Sequence, residues 1–294
     1  MSSSLRAGQV EKVKGVFQQA DFDRFAAISG DDNPIHVDPA FSARTKFGRT
    51  VAHGMFLYSI VCGVLGTRLP GPGTLQMDQE LLFPNPTFTG EEVTAQVEVI
   101  EVEPGSGVAI LAMAVLRPDG KPGLEGRTRV RLPGTGAPVW PAKEHLQSAP
   151  AASDCDWLKG LTIGQRAETR RTFGLRDLAE YVDLTGDANP LFTDIGYVRR
   201  LGFEGVLVPG GLLGGMISFL LGTRLPGQGT NYLKQRLEFT APAYTDQELV
   251  AVVEVIRLRP EKQLANLVTT CLGPTGQVVC RGEALVLVSD VGEP

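Results

Sequence analysis

The sequence predicts an α+β fold built twice over: two tandem copies, each wrapping an antiparallel sheet around a long central helix. Three observations predict it. Residues 65–74, LGTRLPGPGT, return at 221–230 as LGTRLPGQGT, nine of ten identical at an offset of 156. In each copy an apolar helical stretch precedes four runs rich in Val, Thr and Leu, separated by Gly/Pro turns. The chain of 294 residues, 43% apolar, is too long for one ordinary module and too hydrophobic for disorder.

The same offset pairs SGDDNP at 29–34 with TGDANP at 185–190, Phe47 with Phe203, Gly54 with Gly210, Phe83 with Phe239 and Pro86 with Pro242. One register held that long divides the chain into an amino-terminal domain at 1–133, a linker at 134–160 and a carboxyl-terminal domain at 161–294. The linker is rich in Pro, Ala and Gly and lacks periodicity. At roughly 3.3 Å per residue it is long enough to cross a domain, so the copies are expected side by side as a built-in dimer.

In the first copy, alternation predicts a strand over 12–17, and Phe22, Phe25, Ala26 and Ile28 predict a helix over 22–29. Residues 54–68, GMFLYSIVCGVLGTR, are apolar nearly all round, which suits a buried central helix. Strands follow over 75–83, 92–101, 108–117 and 124–132. The second copy predicts a helix near 211–224 and strands near 231–239, 248–257, 264–272 and 277–287. Its glycines at 210, 211, 214 and 215 suggest space for an apolar chain beside the helix.

Composition excludes several classes. Charge, 28 basic against 33 acidic residues, is spread without blocks, so nucleic acid and anionic membrane are not expected partners. The four cysteines, Cys62, Cys155, Cys271 and Cys280, show neither metal-ligand nor disulfide-scaffold spacing, which predicts free thiols and no metal. Residues 205–222 carry no charge, but six glycines and a proline mark a buried globular helix instead of a membrane span. No targeting segment is visible, and a cytoplasmic protein is expected.

Three histidines narrow the chemistry: His36 and His53 in the first copy, and His145 in the linker. Asn33-Pro34 and Asp38-Pro39 each look like a helix cap followed by proline in the first turn. That bend aims Asp31 and His36 at one point, as a general acid/base pair for one water, with Asn33 orienting one of them. The reading competes evenly with plain capping by the acidic residues and a solvated His36. Gly54, at the start of the apolar helix, offers a free backbone N–H to a developing oxyanion, although a mere close-packing glycine accounts for it equally well. In the second copy Asp187 and Asn189 persist, while Phe192 replaces His36 and Pro209 replaces His53. That asymmetry indicates one working site and one degenerate half.

FAAISGDDNPIHVDPAF followed by GRTVAHGMFLYSIVCGVLGTRLPG resembles the (R)-specific enoyl-CoA hydratases, the MaoC-like dehydratases of the hotdog fold. The resemblance covers almost all of 8–132, and the second half is similar to a degenerate member, giving a double hotdog. It implies a hydro-lyase. Asp31 and His36 would activate water for syn addition to a 2-enoyl thioester, or remove it from a (3R)-3-hydroxyacyl thioester, with Gly54 holding the thioester carbonyl. It places Asn33, His53 and Cys62 on the substrate, His53 in a positioning role, and makes coenzyme A or an acyl carrier protein part of the substrate, with no separate cofactor. It also implies an acyl tunnel along the central helix between the halves, with Phe192, Phe219, Tyr58 and the glycine-thinned helix setting chain length. A dehydratase or ring-forming enzyme on carrier-bound polyketide intermediates is the alternative, as is, in another class, a non-catalytic acyl-thioester binding protein; a thioesterase fits the turn poorly. The fused halves are expected as a monomer with an internal pseudo-dimer or as a homodimer.

Overall fold

The computed structural model describes residues 5–135, 140 and 157–288. Most of the expected linker, with His145 and Cys155, lies outside the described residues. The first half runs β1 (Val10–Val16), α1 (Gln19–Ser29), α2 (Pro34–Val37), α3 (Pro39–Ser42), α4 (Gly54–Thr67), β2 (Leu75–Leu82), β3 (Glu92–Glu103), β4 (Val108–Leu116) and β5 (Pro122–Arg131). A two-residue pairing, β6 (Trp157–Leu158) with β7 (Leu161–Thr162), leads into the second half. That half repeats the order: β8 (Arg166–Thr172), α5 (Leu175–Thr185), α6 (Pro190–Thr193), α7 (Ile195–Arg200), α8 (Gly210–Thr223), β9 (Thr230–Phe239), β10 (Glu248–Arg259), β11 (Leu264–Leu272) and β12 (Val278–Val288).

Each half is the expected hotdog, and the strands supply the reason. β3 and β10 alternate strictly between the sheet's two faces, so Val93, Ala95, Val97 and Val99 in one, and Leu249, Ala251, Val253 and Val255 in the other, turn inward and are almost fully buried. They close on α4 and α8, which are apolar on every face and buried along most of their length.

The two sheets are not separate. All pairings are antiparallel, in the order β1-β3-β4-β5-β2-β9-β12-β11-β10-β8, giving one ten-stranded sheet joined where β2 pairs β9. At that seam Lys234 pairs with Glu80, and the register sets Asp78 opposite Glu238.

The central helices meet across the core through small residues. A Cβ at Gly211 would lie 2.2 Å from Ser59 Oγ, at Gly214 2.5 Å from Met55 Sδ, and at Gly215 2.6 Å from Ser29 Cβ. The glycines of α8 therefore admit side chains of the first half and do not open the apolar space expected from the sequence. Tyr58 is likewise no chain-length gauge: it is wholly buried, donating to Gln76 (2.9 Å) or Gln79 (2.5 Å). Each central helix also runs its far end over the other half's polar turn. A Cβ at Gly222 would meet Asn33 Nδ2 at 2.6 Å, and one at Gly66 would meet Asp187 Oδ1 at 2.4 Å.

Candidate active site

The site begins where α1 ends. Gly30 adopts the left-handed conformation at the C-cap (φ 86°), as a residue without Cβ does readily. Ser29 then accepts from the Asp31 N–H (3.2 Å) and donates to the Phe25 carbonyl (2.7 Å). Asn33 caps α2 by accepting from the Ile35 N–H (3.3 Å), and Asp38 caps α3 by accepting from the Phe41 N–H (2.9 Å). The two caps fold the chain twice within nine residues and bring Asp31 and His36 to one side of the bend.

His36 Nδ1 stands 2.7 Å from the Val51 carbonyl, which accepts, so Nδ1 carries the proton and Nε2 is the exchangeable position. His53 Nε2 donates to the Asp31 carbonyl oxygen (2.9 Å), leaving its buried Nδ1 without a partner among the described residues. The two imidazoles stack, centroids 3.9 Å apart and planes at 29°.

Asp31 is 1% exposed, and the Ser218 hydroxyl and the Asn33 N–H approach its carboxylate without either completing a well-formed hydrogen bond to it. Burial pushes its carboxyl upward from the usual range, while His36, then Ser218 and the Asn33 N–H, pull it back. Burial lowers His36, opposed by Asp31 and the Val51 carbonyl. His53 is held well below an ordinary histidine, by burial first and the adjacent His36 second, and is therefore neutral.

Asp31, His36 and His53 each place one donor atom within 4.8 Å of the others. His53 Nε2 is engaged by the Asp31 carbonyl and His36 Nδ1 by the Val51 carbonyl, which leaves His36 Nε2 and the Asp31 carboxyl as the groups placed to exchange a proton.

The cleft in front encloses about 1000 Å³ including its mouth. From the first half come Asp31, Asn33, His36, Gly54 and Phe83; from the second come Ser218, Leu221, Gly222, Thr230 and Tyr232. Gly54 opens α4, and its N–H has no acceptor among the described residues. Free N–H groups and the positive end of a 14-residue helix thus face the cleft beside Asp31 and His36.

Four expected residues, Asp31, His36, Asn33 and Gly54, line this cleft together. His53 does not touch it: fully buried, it supports His36 from behind. Cys62 requires correction. It lines a second cleft, with Asp187, Asn189, Phe192 and Gly210, and accepts there from Gln76 Nε2 (3.1 Å). The far end of α4 reaches the other half's turn, so the residue beside Asp31 is Ser218, the counterpart of Cys62 one offset along. Ser218 was missed, although treating the copies as a two-fold pair would have found it. Phe192 likewise belongs to the second cleft.

Residues 6–113 match the MaoC-like domain family. Over 132 residues the chain is 41% identical to an (R)-specific enoyl-CoA hydratase of Aeromonas caviae, covering 45% of this chain and 98% of that one. It is 40% identical over 129 residues to a 3-hydroxybutyryl-CoA dehydratase of Methylorubrum extorquens, covering 44% of this chain and 82% of that one. Over 96% of its length and 97% of the other, it superposes with a TM-score of 0.72 and 17% identity on a Mycobacterium tuberculosis protein described as having a double hotdog fold.

Proposed function

The chain belongs to the MaoC-like dehydratase family, and from that premise we propose that it is a hydro-lyase acting at the Asp31–His36 cleft, hydrating 2-enoyl thioesters to (3R)-3-hydroxyacyl thioesters or running the reverse dehydration. The observation that carries the reading is the meeting, in one cleft, of a buried unpaired carboxyl, an imidazole with an exchangeable Nε2 and an unengaged helix-start N–H.

The mechanism follows from the residues. Val51 fixes the His36 tautomer, and His53 fixes the plane of its ring. Burial raises the carboxyl and lowers the imidazole, so the pair's affinities approach one another. The proposed cycle starts from the form in which the pair holds one proton. In hydration, water loses a proton to the bare member while its oxygen bonds Cβ; the protonated member delivers its proton to Cα, and the alkene pair becomes the new C–H bond. The pair ends with one proton, as it began. Both transfers come from one side of the substrate, which gives syn addition. The Gly54 N–H faces the thioester oxygen as enolate charge develops. These steps require a proton shuttle and an oxyanion donor, both supplied by the chain, and the coenzyme A or carrier-protein thioester is part of the substrate.

Among the described residues no helix is long and apolar enough to cross a membrane. The fused halves complete the site within one chain, so we propose a monomer as sufficient for activity.

The test is loss of the conjugated enoyl-thioester absorbance with short, medium and long 2-enoyl-CoA, followed by chiral analysis of the product. A (3R) product supports the reading. Turnover only of carrier-bound substrates moves the substrate class to acyl carrier protein thioesters. Absence of turnover with both, or a (3S) product, contradicts the reading.

A further inference from the structure

The second cleft is the counterpart of the first, and it has lost the imidazole and several polar wall groups. Phe192 stands for His36, Ala243 for Thr87, Leu75 for Asn231 and Ala241 for Asn85, each less polar than its opposite number, while Gln76 stands for Tyr232. The cavity has not collapsed; it still encloses about 550 Å³ including its opening, with Trp140 in its wall.

Three polar positions survive at its base, and they differ in what they do. Both polar atoms of the Asn189 side chain have partners, Oδ1 accepting from the N–H groups of Gly73 (3.0 Å) and Leu191 (3.2 Å) and Nδ2 donating to the Thr74 carbonyl (2.8 Å). Asp187 is not. It is 2% exposed, lines the cavity, and its Oδ1 has no partner among the described residues. The Gly210 N–H, opening α8, also lacks an acceptor among the described residues. A largely apolar cavity whose wall also carries Thr74, Gln76 and Cys62, and which ends in one unpaired buried acceptor and one free backbone donor, has the make-up of a ligand site. Buried carboxyl oxygens ordinarily find partners, so an unpartnered one on a cavity wall points to a group supplied from outside.

We propose that the second cleft binds a hydroxyl-bearing acyl ester or thioester without turning it over, the hydroxyl donating to Asp187 and the carbonyl accepting from the Gly210 N–H. The choice of a 3-hydroxyacyl group rests on the function proposed for the first cleft, whose Asp31 and Gly54 are the counterparts of these two contacts. Phe192 offers no proton to exchange, so the ligand is held unchanged. The protein thus carries one cleft that makes or consumes the hydroxyacyl group and one that only retains it.

Trp140 supplies the readout. The chain has two tryptophans, so Trp157→Phe leaves Trp140 as the single reporter in the full-length protein. The probes are methyl (3R)-3-hydroxyoctanoate and methyl octanoate, which differ by the hydroxyl alone. Saturable change in Trp140 emission is expected with both, about tenfold tighter for the hydroxy ester, the worth of one hydrogen bond to a carboxylate. Asp187→Ala should erase the preference, and Ala241→Phe, which fills the cavity from its wall without adding a second tryptophan, should abolish binding of both. His36→Ala should change neither affinity. No saturable response, equal affinities in the parent, or loss of the response in His36→Ala would overturn the proposal. Enoyl-CoA hydration measured on the same samples separates the two readings. Hydration without a Trp140 response overturns the ligand site alone, whereas a hydroxyl-selective response without hydration supports it and overturns only the activity assigned to the first cleft.

Discussion

The two clefts share a backbone, a buried aspartate, a capping asparagine and a glycine at a helix start, yet only one has an imidazole beside its aspartate. At the first, His36 lies close enough to Asp31 to oppose the effect of burial on the carboxyl. At the second, Asp187 has only the Asn189 N–H to oppose burial, and its carboxyl is pushed up to about 7. The difference teaches that the turn and the helix start are the scaffold of this fold, retained in both halves, and that the histidine pair turns scaffold into proton chemistry.

The comparison breaks most sharply at the imidazole. His36→Ala should lower the hydration rate by about 10³-fold, within the usual range for a general acid or base, whereas Phe192→Leu should leave it within about twofold. A steady-state assay on purified variants checks both.

Stability discriminates the aspartates next. Between about 4 and about 7 the unfolded chain has released the Asp187 proton while the folded chain still holds it, so the folded state loses stability as pH rises through that window. Asp187→Asn removes the penalty. Chemical denaturation should show a gain on the order of 2–4 kcal/mol at pH 8 and little change near pH 4, with activity retained.

The helix starts give a smaller effect. A Cβ at Gly54 would lie 2.8 Å from the edge of the Phe83 ring, and one at Gly210 2.6 Å from Phe239, so both Gly→Ala variants must shift their helix start. Only Gly54→Ala should cost activity, about 10²-fold in kcat/KM, since only that N–H serves the reacting carbonyl.

Smallest is the contribution of the opposite half. Ser218 pulls the Asp31 carboxyl down, so Ser218→Ala raises both apparent pKa values of the coupled pair. A bell-shaped rate profile should move to higher pH, with about a tenfold loss at the original optimum. The matching Cys62→Ala should leave the profile in place.

Much of this was legible in the sequence. The repeated decapeptide set the two-fold plan, the paired Asn-Pro and Asp-Pro steps marked both caps, and the loss of histidine from the second copy singled out the first site. What escaped depends on how the halves meet. Proximity in sequence points Cys62 to the first site, but α4 carries it across to the other half's turn, and its counterpart Ser218 comes back in exchange. The glycines of α8 suggested open space until Ser29, Met55 and Ser59 were seen occupying it. Strand β8 carries no apolar run, RAETRRT, because it is an edge strand largely exposed to solvent, so hydrophobic patterning did not reveal it. The pairing of β2 with β9 depends on a register between copies that neither copy contains alone.

The central claim is that one of two equivalent aspartates carries the chemistry. Its most direct test places Asp31→Asn and Asp187→Asn in the same hydration assay with one 2-enoyl-CoA substrate, each checked for folding by circular dichroism. The account predicts near-complete loss for Asp31→Asn and an unchanged rate for Asp187→Asn; equal losses in both, or loss in Asp187→Asn alone, would contradict it.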